Sequence, residues 1–178
     1  MRKISLLFVL SIIILSPVLG RVTNYLAKDE LIKKMQSGGL VLYFRHASTE
    51  KDYADQVTAD VNDGSTQRVL SEKGWKEAVH IGRAIKFHNI PVSQVLSSEY
   101  FRAWQTAWLA FEKYEKKSDF NFLPHEDFTQ EQMAVMKKRL LPYLSQKHGK
   151  KGNLVIVAHD DPFEAATGIY PEPMGICY

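Results

Sequence analysis

Leu40-Val-Leu-Tyr-Phe44, closed by Arg45-His46, and Leu154-Val-Ile-Val-Ala158, closed by His159, decide how this chain folds. Each is a short unbroken apolar run, the pattern of a strand buried on both faces, and such strands belong to parallel sheets covered by helices. Ser37-Gly38-Gly39 precedes the first run and a basic turn over 147–152 precedes the second. Both runs end on a histidine. Because open α/β sheets bind ligands beyond the carboxyl ends of their strands, the two imidazoles are expected at one sheet edge.

The intervening sequence supplies the helices. Leu26, Leu31, Ile32 and Met35 give a loose helical spacing before the first strand. Ser71 can cap a helix whose apolar face is Trp75, Ala78, Val79, Gly82 and Ile85, and Asn89-Ile-Pro91 closes it ahead of a strand over 92–96. Ala103, Trp104, Ala107, Trp108 and Phe111 make the next apolar stripe, leaving Arg102 and Thr106 on another face. The three tryptophans on these stripes are expected in the core. Thr129 and Gln132 fit a capping box for a helix with Met133, Met136, Leu140 and Leu144 on one side and a kink at Pro142. Ala165-Ala166 falls in a short helix, and a last strand opens near Met174. Residues 47–69 are polar and aperiodic, a long loop with a turn at Asn62-Asp-Gly-Ser65. Alternating strands and helices predict an α/β sandwich with a mainly parallel central sheet.

The first twenty residues read differently. Arg2-Lys3 precedes an apolar run over 4–15 and small residues near Gly20, the layout of a cleaved signal peptide; the run is shorter than the roughly 20 residues a membrane span needs. The expectation is a signal over 1–20, a single domain over 21–178, a periplasmic or secreted location, and membrane association only through the uncleaved segment. Two of the 23 basic residues and none of the 20 acidic ones lie in that segment, so the formal charge of +3 becomes +1. Such a balance offers no electrostatic case for nucleic acid. Cys177 is the sole cysteine, which excludes an internal disulfide and fits a small buried apolar residue.

Three segments converge on one cleft. Besides His46 and His159, the third strand ends at Ser97-Ser98 and leads into a helix whose first turn carries Arg102, where unpaired backbone N–H groups also favour an anion. Two guanidiniums and two imidazoles suit the oxygens of a phosphoryl group. A neutral histidine fixed by a hydrogen bond can act as a nucleophile, and neighbouring positive charge holds it neutral. His80, His88, His125 and His148 lack such company and read as surface or helix-end residues, with no spacing that indicates a metal site.

Arg45-His46-Ala47-Ser48-Thr49 resembles the Arg-His-Gly-x-Thr signature of the histidine phosphatase, or phosphoglycerate mutase-like, superfamily, with alanine replacing the glycine. Ser97-Ser98-Glu-Tyr-Phe-Arg102-Ala103-Trp-Gln105-Thr106-Ala107 is similar to its second signature. Leu70-Ser-Glu-Lys-Gly74 is similar to the segment opening the intervening helix, and Val155-Ile-Val-Ala-His159 to the strand bearing its second histidine. The matches keep the family's order from about Gly39 to His159. The resemblance implies a three-layer α/β/α fold, a phosphohistidine at His46, phosphate contacts from Arg45, Arg102 and His159, and neither metal nor other cofactor. Among the loop residues Thr49, Glu50, Asp52, Gln67 and Arg68 near the cleft mouth, Thr49 is the expected substrate contact.

Two departures matter. Asp52 stands where many mutase-type relatives have asparagine. Mutase-like members often take their proton donor from a glutamate after the second signature, whereas acid phosphatase and phytase members use an aspartate directly after the second histidine; here that residue is Asp160. Asp160 is therefore the expected acid, with helix capping by Asp160 or Asp161 as its alternative role and Glu99 and Glu126 as weaker candidates. The expected activity is hydrolysis of a small phosphomonoester, with an envelope phosphosugar as a candidate substrate by family analogy. The alternative is a module of the same fold that binds a phosphate or phosphosugar without turning it over.

Overall fold

The computed structural model describes residues 27–51, 55–56, 59–123, 128–149 and 151–171, and the backbone of 176–177. The expected signal segment, Asp52, His125, Glu126, Met174 and the Cys177 side chain lie outside the described residues. Helix α1 (Lys28–Gln36) leads into β1 (Val41–Arg45), and a long segment with one 3-10 turn at Gly64–Thr66 connects to α2 (Glu72–Phe87). Next come β2 (Val92–Ser97), α3 (Phe101–Phe111), β3 (Glu115–Lys116), α4 (Gln130–Ser145), β4 (Asn153–Ala158), α5 (Asp160–Thr167) and β5 (Ile176–Cys177). The sheet order is β3-β2-β4-β1-β5, parallel throughout except where β5 runs antiparallel to β1. Neither edge strand beyond β2 and β1 is that pattern's buried run: both are two-residue strands, too short to carry a period.

Alternation along the central strands creates two cores. Leu42, Phe44, Val155 and Val157 face α1, α2 and α3 through Met35, Ile85 and Ala107. Tyr43, Leu154, Ile156 and Ala158 face α4 and α5 through Leu140 and Phe163. This is a three-layer α/β/α sandwich, as expected. Asn153, fully buried at the start of β4, ties the bottom of the sheet together: its amide donates to Met35 O (2.6 Å) and Pro91 O (2.9 Å) and accepts from Leu40 N–H (3.1 Å).

The caps predicted by sequence are in place. Ser71 Oγ accepts the Gly74 N–H, and Thr129 and Gln132 form a reciprocal capping box. Other expectations need correction. The first strand is shifted by one residue, ending on Arg45 rather than Phe44. Trp75 and Trp108 are about half exposed, at 51% and 52%, because α2 meets α3 through small residues instead. A Cβ on Gly82 would come 2.1 Å from Ala110 O, so this crossing is too close for the large side chains of the predicted stripe. The helix expected around Pro142 is present, α4 running through that residue to Ser145. His159, not Asp160, stands at the N-cap of α5 and makes no side-chain cap bond, while Asp160 and Asp161 place two carboxylates in the helix's first turn. Among the described residues no helix is long and apolar enough to cross a membrane.

Candidate active site

Parallel register brings the chemistry-bearing ends together. Arg45 pairs with Ala158 and Ser97 with Val157, and the ladder extends one step further through His46 N–H to Ala158 O (2.9 Å) and Ser98 N–H to Val157 O (3.0 Å). His46, Ser98 and His159 therefore leave the sheet at one edge. The rings of His46 and His159 stand 5.4 Å apart, both nearly inaccessible to solvent.

His46 Nδ1 lies 2.8 Å from Ala47 O, which can only accept, so Nδ1 carries the proton and Nε2 holds the lone pair. Arg102 Nε–H donates to that Nε2 at 3.1 Å. Burial, Arg102 and then Arg45 and Arg68 hold the imidazole pKa well below its usual 6.5, against a raising contribution from Ala47 O. The result is a neutral, oriented imidazole whose Nε2 lone pair accepts from a guanidinium that a phosphoryl group can draw away. Local packing fixes the loop beneath it: Thr106 Oγ1 accepts Ala47 N–H (3.0 Å) and donates to Arg102 O (2.7 Å), joining α3 to the histidine loop. Glu77 accepts Ser48 N–H at 3.0 Å, and Ser71 donates to Ser48 O from both its amide and its hydroxyl.

Arg102 is buried at the opening of α3. Its Nη1 donates to Asp55 Oδ1 at 2.8 Å, and its guanidinium lies 5.2 Å from the ring centres of both Tyr100 and Phe122. His159 Nε2 lies 2.9 Å from Ser98 Oγ, its backbone oxygen accepts from buried Tyr43 Oη (2.7 Å), and its Nδ1 is buried without a partner. Ser98 Oγ also lies 2.8 Å from Asn121 Oδ1, which Glu99 N–H already engages at 3.0 Å. The single Ser98 hydroxyl proton can thus go to Asn121 or to His159 Nε2. The second placement puts the imidazole proton on Nδ1, a donor for an anion. Burial, then Arg102 and His46, depress the His159 pKa as well.

Arg45 Nη2 pairs with Asp160 Oδ2 at 2.8 Å, and Tyr170 Oη donates to the same oxygen at 2.9 Å. Beside it, burial and the Asp160 charge raise the Asp161 carboxyl to about 6. An open cleft of about 290 Å³ lies over His46, lined also by Arg45, Thr49, Glu50, Lys51 and Arg68. Thr49 sits there because it bridges to Leu70. Glu99 is instead held by Asn121 Nδ2 (2.8 Å), behind Ser98. Among the described residues no cluster of three or more histidines, cysteines or carboxylates can hold a metal.

Every described residue singled out for phosphate contact, His46, Arg45, Arg102, His159 and Thr49, stands at this edge. Asp55, Ser98, Thr106 and Asn121 were not assigned roles from sequence. Asp55 and Asn121 sit in aperiodic segments with no pattern to flag them; Ser98 and Thr106 lie inside the second signature, where position alone could have marked them.

No family model matches the chain, and no curated protein does. Solved structures do. The chain is similar to mycobacterial hydrolase 1 (17% identity, 74% of this chain and 78% of that one, TM-score 0.53). It is similar to a mycobacterial glucosyl-3-phosphoglycerate phosphatase complexed with VO3 (17%, 74% and 81%, TM-score 0.52). It is also similar to a phosphoserine phosphatase from Entamoeba histolytica in complex with 3-phosphoglyceric acid (18%, 71% and 76%, TM-score 0.51). The fold is phosphoglycerate mutase-like. At these identities the likeness concerns the fold alone, and the chemistry rests on this chain's own side chains.

Proposed function

We propose that the protein is an exported phosphomonoester hydrolase working through a phosphohistidine at His46. One observation carries the reading: His46 Nε2 presents an unprotonated lone pair, aimed by the Nδ1 contact to Ala47 O, with Arg102 Nε at 3.1 Å. In the first step Nε2 attacks phosphorus and the P–O bond to the leaving group breaks. Arg45, Arg102 and the Nδ1–H form of His159 take the phosphoryl oxygens, where developing charge is worth most in a water-poor site. Arg45 exchanges Asp160 for the phosphoryl group. The released carboxylate takes up the proton that a phosphomonoester monoanion brings and passes it to the leaving oxygen. Water then attacks phosphorus, the P–N bond breaks, and its proton returns to Asp160 as inorganic phosphate leaves.

The resting Arg45–Asp160 ion pair also favours a second reading, a module that binds phosphate or a phosphosugar without hydrolysis. The Arg2-Lys3 start and the apolar run over 4–15 support export, hence a periplasmic or secreted enzyme acting on an envelope phosphorylated compound. Release of inorganic phosphate from a chromogenic phosphomonoester, with acid-stable and acid-labile phosphate compared after quenching, tests the chemistry. The wild type should turn over and trap an acid-labile phosphoryl group, and His46→Ala should do neither. Phosphate binding without any turnover in the wild type supports the binding module.

A further inference from the structure

Arg68 belongs to none of the motifs that place the machinery above, yet it lines the same cleft as Arg45, His46 and Thr49. Its backbone is held on both sides. The preceding Gln67, almost fully buried, accepts Phe101 N–H at the start of α3 (2.9 Å) and donates to Asp60 O (2.5 Å). Arg68 N–H donates to Asp55 Oδ1 at 2.8 Å, the oxygen that also takes Arg102 Nη1. One carboxylate oxygen therefore joins the amide of Arg68 to the guanidinium of Arg102.

The Arg68 side chain keeps a buried Nε–H with no acceptor. Among the described residues only His159 Nδ1 and Trp104 Nε1 share that condition, so two of the three unpartnered buried atoms belong to residues around His46. A buried charged donor without an acceptor is costlier than a neutral one, and a fold retains it where an acceptor arrives from outside. The Arg68 charge also acts on both His46 and His159. The cleft lining carries Glu50 as its one acidic residue against Arg45, Lys51 and Arg68, which suits an anion.

We propose that Arg68 is a third guanidinium of the site, its Nε–H donating to an oxygen of the same phosphoryl group that Arg45 and Arg102 hold. The inference rests on the phosphoryl reading of the cleft but not on turnover. Isothermal titration of the full chain with inorganic phosphate, and separately with orthovanadate, tests it. Arg68→Ala should weaken phosphate binding by about 10- to 100-fold, the span of one lost charge-assisted hydrogen bond. Arg68→Lys, which keeps the charge and the aliphatic stem but lacks Nε–H, should recover part of that loss. Arg83→Ala, which removes an exposed charge from α2, should stay within about twofold of wild type.

Unchanged phosphate affinity in a folded Arg68→Ala or Arg68→Lys protein overturns the proposal, and so does a wild type that binds neither anion. Where Arg68→Ala melts below the assay temperature, Arg68→Lys alone decides. Arg68-dependent anion binding without any trapped phosphohistidine would sink the hydrolase and keep Arg68 in the site.

Discussion

Gly74→Ala is expected to cripple turnover from a position that touches no substrate. A Cβ at Gly74 would sit 1.9 Å from Ser48 O, where ordinary contact begins at 3.4 Å, so helix or loop must yield by roughly 1.5 Å. Ser48 O is held from the same helix by Ser71 N–H at 3.0 Å and Ser71 Oγ at 3.1 Å, and its own amide by Glu77, so the loop cannot retreat without losing those bonds. That loop starts at His46, whose Nδ1 is aimed by Ala47 O. Overpacking of this kind costs about 1–3 kcal/mol, a drop in Tm of about 3–10 °C for a chain of this length. A displacement near 1 Å at a nucleophile costs on the order of 100-fold in rate. Thermal melts by circular dichroism and kcat/KM on a chromogenic phosphomonoester read the two effects. Gly149→Ala, with nothing within 4 Å of its added methyl, is the control. A Gly74→Ala protein that melts and turns over like the wild type would refute the claim that this close approach positions His46.

Asn153→Ala removes three hydrogen bonds to backbone groups, one of them fully buried, and should cost about 2–3 kcal/mol in chemical denaturation, while leaving kcat at 25 °C intact because the residue lies at the opposite end of β4 from His159. Because the folded protein holds His46 and His159 below their usual 6.5, the unfolded chain takes up protons the native state refuses. Stability is then fully present above about pH 6.5 and falls as pH drops below it, by about 1.4 kcal/mol per pH unit for each histidine. Melts between pH 7.5 and 5 check this: the Asp161 carboxyl, raised to about 6, offsets about one histidine's share below that pH, and His46→Asn should lower the slope by one histidine's share throughout; a slope unchanged by that substitution counts against the histidine account. Asp55→Ala leaves the buried Arg102 guanidinium without its carboxylate and should lower Tm, with millimolar phosphate restoring more stability than it adds to wild type. Equal phosphate-induced shifts in the two proteins would show that the anion does not reach Arg102.

The sequence by itself determined the parallel core, because two unbroken apolar runs ending in histidine allow little else, and it located the residues that meet at the sheet edge. Caps at Ser71 and Thr129 were legible for the same reason: their bonds span only three residues. What the tertiary structure decided lies in contacts distant along the chain. Trp75 and Trp108 look like core by periodicity, but helical spacing does not reveal that Gly82 against Ala110 O leaves no room for them. Asp55 on Arg102 and Asn121 behind Ser98 involve residues from segments without a period, and the ion pair of Asp160 with Arg45 joins two strand ends far apart in the chain, so a short-range pattern cannot encode such meetings. The residue types were written in the chain, but which nitrogen of each histidine stays open, and which guanidinium already holds a carboxylate, follows from packing alone.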